Sequence, residues 1–144
     1  MSVVCGTTPL HHAAWKGHLD IVRFIIDWLD DPNPAMNDGT TPMHLAAQNG
    51  HTDVVQFIFE RVDDLNSAGQ YGRNPNPARH DGDTPLHEAS RYGHPDIVQF
   101  IIERVDDPNP PNQRGLTPLM VAQHWRSPGH QEVCQHIKNA IGNI

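Results

Sequence analysis

Two cysteines are too few for a disulfide framework, which places the chain by expectation in a reducing compartment, cytoplasmic or nuclear. Basic residues are scarce too: 10 lysines and arginines stand against 17 aspartates and glutamates, a formal net charge of -7. A nucleic-acid binder needs a concentrated basic face for phosphate, so no nucleic-acid partner is expected. No apolar run approaches the roughly 20 residues of a membrane span, and no membrane insertion is expected. The opening Met1-Ser2-Val3-Val4-Cys5 has neither the charge nor the apolar stretch of a signal peptide. What remains is 144 residues, the length of one ordinary domain, with 37% hydrophobic residues to build a core. Proline (13), glycine (11) and histidine (11) are plentiful, and they are periodic.

Thr8-Pro9-Leu10-His11 returns as Thr41-Pro42-Met43-His44, as Thr84-Pro85-Leu86-His87 and, altered, as Thr117-Pro118-Leu119-Met120, at spacings of 33, 43 and 33 residues. A glycine stands two residues before each threonine, at Gly6, Gly39, Gly82 and Gly115. Gly17-His18, Gly50-His51 and Gly93-His94 follow in register, whereas Gly129-His130 arrives late. Threonine followed by proline is a helix start, because threonine caps free N–H groups and proline is pre-set for the first turn. The pattern predicts helices over Pro9–Lys16, Pro42–Asn49, Pro85–Tyr92 and Pro118–Trp125, the first three closed by left-handed glycines. His94-Pro95-Asp96 reads as the cap and first turn of the next helix. Each second helix carries a wide apolar face: Ile21, Val22, Ile25, Ile26 and Leu29 match Val54, Val55, Ile58, Phe59 and Val62, then Ile97, Val98, Ile101, Ile102 and Val105. A hairpin this small cannot bury that face alone, so successive units must stack. Prolines 32, 34, 108 and 110 end the second helices and lead into extended loops.

These residues resemble the ankyrin repeat along nearly the whole chain, down to the 33-residue unit. The resemblance implies an all-α solenoid of helix-turn-helix units with short β-turn fingers along one edge. As a single domain, 1–144, it divides into repeats at about 5–37, 38–80, 81–113 and 114–144, with ten extra residues in the second unit, inside 67–77. The fourth unit has Met120 for histidine, and His136 and Lys138 where earlier units are apolar, as a polar terminal cap requires. The first unit shows no such softening. It reads either as part of a longer array or as an edge open to self-association.

In the family the repeated histidines orient turns through hydrogen bonds to backbone, which accounts for seven of the eleven: His11, His44, His87, His18, His51, His94 and His130. His12, His80, His124 and His136 have no metal-ligand spacing, so no metal or other cofactor is expected. Cys5 and Cys134 lie units apart, and Cys134 stands on the apolar stripe with no base to activate it. No nucleophile–base set, phosphate cradle or carboxylate pair stands out, and the chain is not expected to be an enzyme. The acids at the ends of the second helices, Asp27, Asp30, Asp31, Glu60, Asp63, Asp64, Glu103, Asp106 and Asp107, read as a solubilising edge or, secondarily, a docking edge for a basic partner.

The positions that the repeat leaves free are the candidate contacts of a protein partner. The resemblance implies that the last residues of each first helix face the concave side: Trp15-Lys16, Gln48-Asn49, Arg91-Tyr92 and His124-Trp125, preceded by His12, Leu45, Glu88 and Val121. Fingers add Asn37, Asp38, Thr40, His80, Asp81, Asp83, Gln113, Arg114 and Leu116. Tryptophan, tyrosine and arginine dominate interface hot spots. The expected function is a non-catalytic protein-interaction scaffold; with Arg79 and Arg126 also on that side, an acidic or mixed-charge partner suits it. The alternative is a regulatory or targeting array belonging to a larger enzyme, channel or effector. The family also implies an asparaginyl-hydroxylase substrate, with Asn33, Asn66 and Asn109 as matching positions and Asn66 the best of them.

Overall fold

A computed structural model describes residues 6–67, 74 and 76–142, with the side chains of 65–67 excepted. Cys5, most of the long loop including Tyr71, and the last two residues lie outside the described residues. Among the described residues eight helices form four antiparallel pairs: α1 (Pro9–Lys16) with α2 (Leu19–Ile26), α3 (Pro42–Gln48) with α4 (Thr52–Ser67), α5 (Pro85–Arg91) with α6 (Pro95–Ile102), and α7 (Pro118–Gln123) with α8 (Pro128–Gly142). First helices pack in the row α1, α3, α5, α7, and second helices line up behind them. No strand occurs among the described residues.

The helix starts follow the sequence pattern. Thr8, Thr41, Thr84 and Thr117 are extended N-caps, and each hydroxyl accepts the N–H three residues on. In the first three units the histidine at that position completes a reciprocal box. Its Nδ1 accepts the threonine N–H at 3.1–3.2 Å, which leaves the ring proton on Nε2. Nε2 then donates to the next unit's finger: His11 to the Thr40 carbonyl (3.2 Å), His44 to Asp83 (2.9 Å) and His87 to Leu116 (2.9 Å). One residue type thus closes a helix start and ties two units together.

A second ladder runs the other way. His51, His94 and His130 donate Nε2 to the carbonyls of Trp15, Gln48 and Arg91 in the preceding unit, at 3.0, 2.9 and 2.7 Å. His94 precedes α6 without a side-chain cap bond of its own, so its ring serves the neighbouring unit and not its own helix. These rings lie over Gly17, Gly50 and Gly93, whose φ values of 75–77° also demand glycine; a Cβ there would strike the imidazole.

Three expectations need correcting, on the first-helix ends, the loop prolines and the loop asparagine of the second unit. Of the first helices, α1 spans the expected Pro9–Lys16, whereas α3 and α5 end one residue early, at Gln48 and Arg91, and α7 ends two early, at Gln123. Gly129 ends no helix. It sits in the first turn of α8, where a Cβ would collide with the Gly93 carbonyl. The second helices α2 and α6 end at Ile26 and Ile102, several residues before Pro32 and Pro108, so these prolines shape the loop without stopping the helix. In contrast α4, with no proline before Pro75, runs to Ser67 and carries Glu60, Asp63 and Asp64 inside the helix. Finally, the loop asparagine of the second unit is Asn76. Asn33, Asn76 and Asn109 each accept an N–H ten residues on, from Met43 (3.1 Å), Leu86 (3.4 Å) and Leu119 (3.0 Å). Asn74 also turns the chain as Asp31 and Asp107 do. The inserted stretch is therefore 64–73, ahead of a regular loop, and Asn66 lies in the last turn of α4.

The core is continuous through all four pairs. Leu10, Met43 and Leu86 from the first helices, and Val22, Val55, Val98, Ile58, Ile101 and Ile137 from the second, are each at most 1% exposed. Burying such a side chain is worth about 1.5–3 kcal/mol. Cys134 is half-buried against this core, and burial pushes its thiol upward, away from the reactive thiolate.

Candidate protein-binding surface

Because the histidine ladders consume the backbone groups between units, the first helices are held in a fixed row, and their last residues project from it. Fingers 36–40, 79–83 and 112–116 close on themselves and are stitched side by side, His80 N–H to the Asp38 carbonyl (2.9 Å) and Gln113 N–H to Asp81 (3.0 Å). Rigid elements thus carry the candidate contacts, at little ordering cost on binding.

The structure divides those contacts into three groups. The first is open: Trp15, Tyr92 and Trp125 are 43%, 48% and 50% exposed, and His12, Lys16, His80, Arg114 and His124 are exposed beside them. Lys16 Nζ lies 5.4 Å from the Trp15 ring. The second group joins units. The Gln48 carbonyl accepts from His94, and Asn49 Nδ2 donates to the Trp15 carbonyl at 2.8 Å; half-buried Leu45 lines a cleft beside Trp15.

The third group corrects the sequence reading. Asp83 and Glu88 are not free contacts, since their side chains are only 4% and 5% exposed. Arg91 bridges both, at 2.9 Å to Asp83 and 2.5 Å to Glu88. Arg79 reaches Asp81 (2.9 Å), and Asn112 Nδ2 donates to Asp83 at 2.8 Å. Burial pushes the Glu88 carboxyl above the usual range, against the pull of Arg91 and Arg79. The network joins two fingers to α5, so Arg91 is a structural cross-link before it is a contact. Pairings across fingers have no sequence periodicity, which hid them.

Open clefts flank the row at each end. The first, about 290 Å³, lies among Thr7, His12, Trp15, Met36 and Leu45. The second, about 350 Å³, lies among Leu116, Met120, Val121, Trp125 and the arginines Arg91 and Arg114. Three helix-packing steps separate them, roughly 24–30 Å at about 8–10 Å each. An extended segment of roughly eight or nine residues spans that distance.

Sequence reasoning passed over one apolar patch. Phe24 is 67% and Trp28 78% exposed, their rings 6.4 Å apart, with Ile21 at 49% on the same face of α2. In later units these registers face the preceding pair: Val54 and Ile97 are fully buried, Phe57 sits under Arg23, and Phe100 meets Phe59 edge-on. His18 likewise finds no carbonyl partner among the described residues. The signal was Trp28 itself, at the register of Arg61 and Arg104.

Among the described residues no three His, Cys, Asp or Glu side chains are grouped to hold a metal, and no helix is long and apolar enough to cross a membrane. No curated protein matches the chain. A family model described as ankyrin repeats, in three copies, matches residues 2–69 and again 62–142.

Proposed function

The chain belongs to the ankyrin-repeat family, whose members are in general non-catalytic protein-binding modules, and from that premise we propose that it is a scaffold gripping an extended protein segment along its concave face. The observation that carries this is the row of Trp15, Tyr92 and Trp125, each about half exposed at or just past the C-terminal end of a first helix and flanked by an open cleft at either end. Large aromatic side chains already fixed in place bind with small entropic loss. Lys16 and Arg114 lend the face exposed positive charge in a chain of net charge -7, which suits an acidic or mixed-charge partner. The same surface serves an array working inside a larger protein; the partner would then be a neighbouring segment of that protein.

The test is a peptide ligand selected from a random library against the intact chain. Alanine at both Trp15 and Trp125 should weaken it at least ten-fold, the loss of one to two hot-spot contacts, with unchanged thermal stability. Affinity indifferent to both substitutions overturns the proposal.

A second reading, self-association through the first unit, is favoured by the exposed Ile21, Phe24 and Trp28. Light scattering across a concentration series checks it. A dimer lost in Phe24→Glu supports it, and a monomer at every concentration rejects it.

A further inference from the structure

The last helix pair is polar on one side only. Behind, α8 sets His136 and exposed Lys138 where earlier units carry Phe24, Phe57 and Phe100, and Ile26, Phe59 and Ile102. In front, the substitutions run the opposite way. Leu116 takes the register of Thr7, Thr40 and Asp83; Met120 that of His11, His44 and His87; Trp125 that of Lys16, Asn49 and Tyr92. They are 37%, 50% and 50% exposed. Among the described residues no helix pair covers these side chains, and a face selected only for solubility would have polar ones.

From this we infer that the cleft between the last finger and α7 binds an apolar side chain of a peptide whose neighbouring residue is a carboxylate. The inference rests on the concave-face reading and names what one end of that face recognises. The floor is Leu116, Met120 and Val121, and Trp125 forms the wall. That wall is held in place: the His124 ring meets Trp125 edge-on at 5.0 Å and His130 lies 5.8 Å away. His130 is itself fixed by the Arg91 carbonyl and by Ser127, at 2.7 and 2.6 Å. At about 350 Å³ the cleft sits at the small end of ligand pockets, the size for one or two side chains and not for a cofactor.

Charge sets the neighbour. Arg114 has no ion pair among the described residues; its backbone N–H donates to Asn112 Oδ1 at 2.9 Å, and the residue lines the cleft. Arg91 is already bridged to Asp83 and Glu88, and both carboxylates are buried. Of the described residues lining the cleft, Arg114 thus carries an unpaired charge, and none is an acid; exposed Asp81 of the neighbouring finger is paired with Arg79. A carboxylate one or two residues from the apolar anchor meets the free guanidinium, with the geometry for a two-pronged bond. A lysine there is repelled.

The three indole N–H signals of the intact chain read the result by NMR. The probes are acetyl-Gly-Glu-Leu-Glu-Gly-amide and its counterparts with Gln or Lys for both Glu. The Glu peptide should shift the Trp125 signal saturably and more tightly at low salt, and the Gln and Lys peptides should bind about ten-fold weaker or less. Arg114→Glu, an exposed change, should erase the preference for Glu. Equal binding of the three peptides, a preference that survives Arg114→Glu, or a silent Trp125 overturns the inference. If Trp15 alone responds, only this inference fails. If Trp28 alone responds, the concave-face reading falls with it.

Discussion

Acidification should unlock the array through His44. Its ring is 1% exposed, and burial depresses its pKa from 6.5 to about 4. The neutral ring is needed in both directions, because Nδ1 accepts the Thr41 N–H while Nε2 donates to Asp83. A folded-state pKa below the unfolded value means that the unfolded chain takes up the proton more readily. The stability present above pH 6.5 is therefore lost progressively as pH falls to about 4. For this one residue the loss between pH 7.5 and 5 is about 2 kcal/mol. His11 and His87 are depressed by burial in the same direction and add to it. Glu88, raised by burial, works the other way, since protonation relieves its cost. Asp38 and Asp81 are held below the usual carboxylate range despite burial, by hydrogen bonds from Thr40 and from Asp83 and Arg79, and they matter only at lower pH. With a urea slope of about 2 kcal/mol per molar, the midpoint should drop by about 1 M from pH 7.5 to 5. Urea titrations at both pH values, with the His44 ring followed by NMR, check this. A pH-independent midpoint, or a His44 ring that titrates near 6.5, refutes the reasoning.

Three further outcomes follow from the packing. Gly129→Ala should destabilise by about 1–3 kcal/mol, since its Cβ would press on the Gly93 carbonyl; a neutral result in thermal unfolding would show that α8 can shift. Asp83→Ala should cost about 2–3 kcal/mol, because Arg79, Arg91 and Asn112 all lose a partner; the arginines keep some solvent, which moderates the loss. A denaturation midpoint within error of the parent would mean that the network is dispensable. Ile97→Ala should cost about 2–5 kcal/mol and Ile21→Ala less than about 1, the same register with and without a covering pair; equal losses would mean that Ile21 is covered in solution.

The helix starts were legible because Thr-Pro-x-x acts within four residues: the threonine hydroxyl, the proline ring and the N–H that it caps are all local. The bonds between units were legible only as a family expectation, since nothing at His11 itself names Thr40. What the sequence hid depends on contacts between distant residues. Asn66 and Asn76 are both asparagines near a loop, and only the bond from Leu86 N–H shows which one holds the register. Asp83 and Glu88 look like solvent-facing acids until Arg79 and Arg91 are brought over them. Gly129 resembles the earlier helix-ending glycines, yet its work is close approach to another backbone. Of the candidate surface, the aromatic positions stand out in the repeat register, whereas the clefts and the ion network between them depend on contacts across fingers and do not.

The concave-face claim is tested most directly by the indole spectrum of the chain bound to its selected ligand, because the three tryptophans mark three different places. Trp15 and Trp125 stand at the two ends of the first-helix row, and Trp28 stands just past α2, beside its exposed face. Shifts at Trp15 and Trp125 with Trp28 unmoved are the result expected of a partner lying along the row. Shifts at Trp28 with the other two silent would contradict it and move the binding site to the edge of the first helix pair.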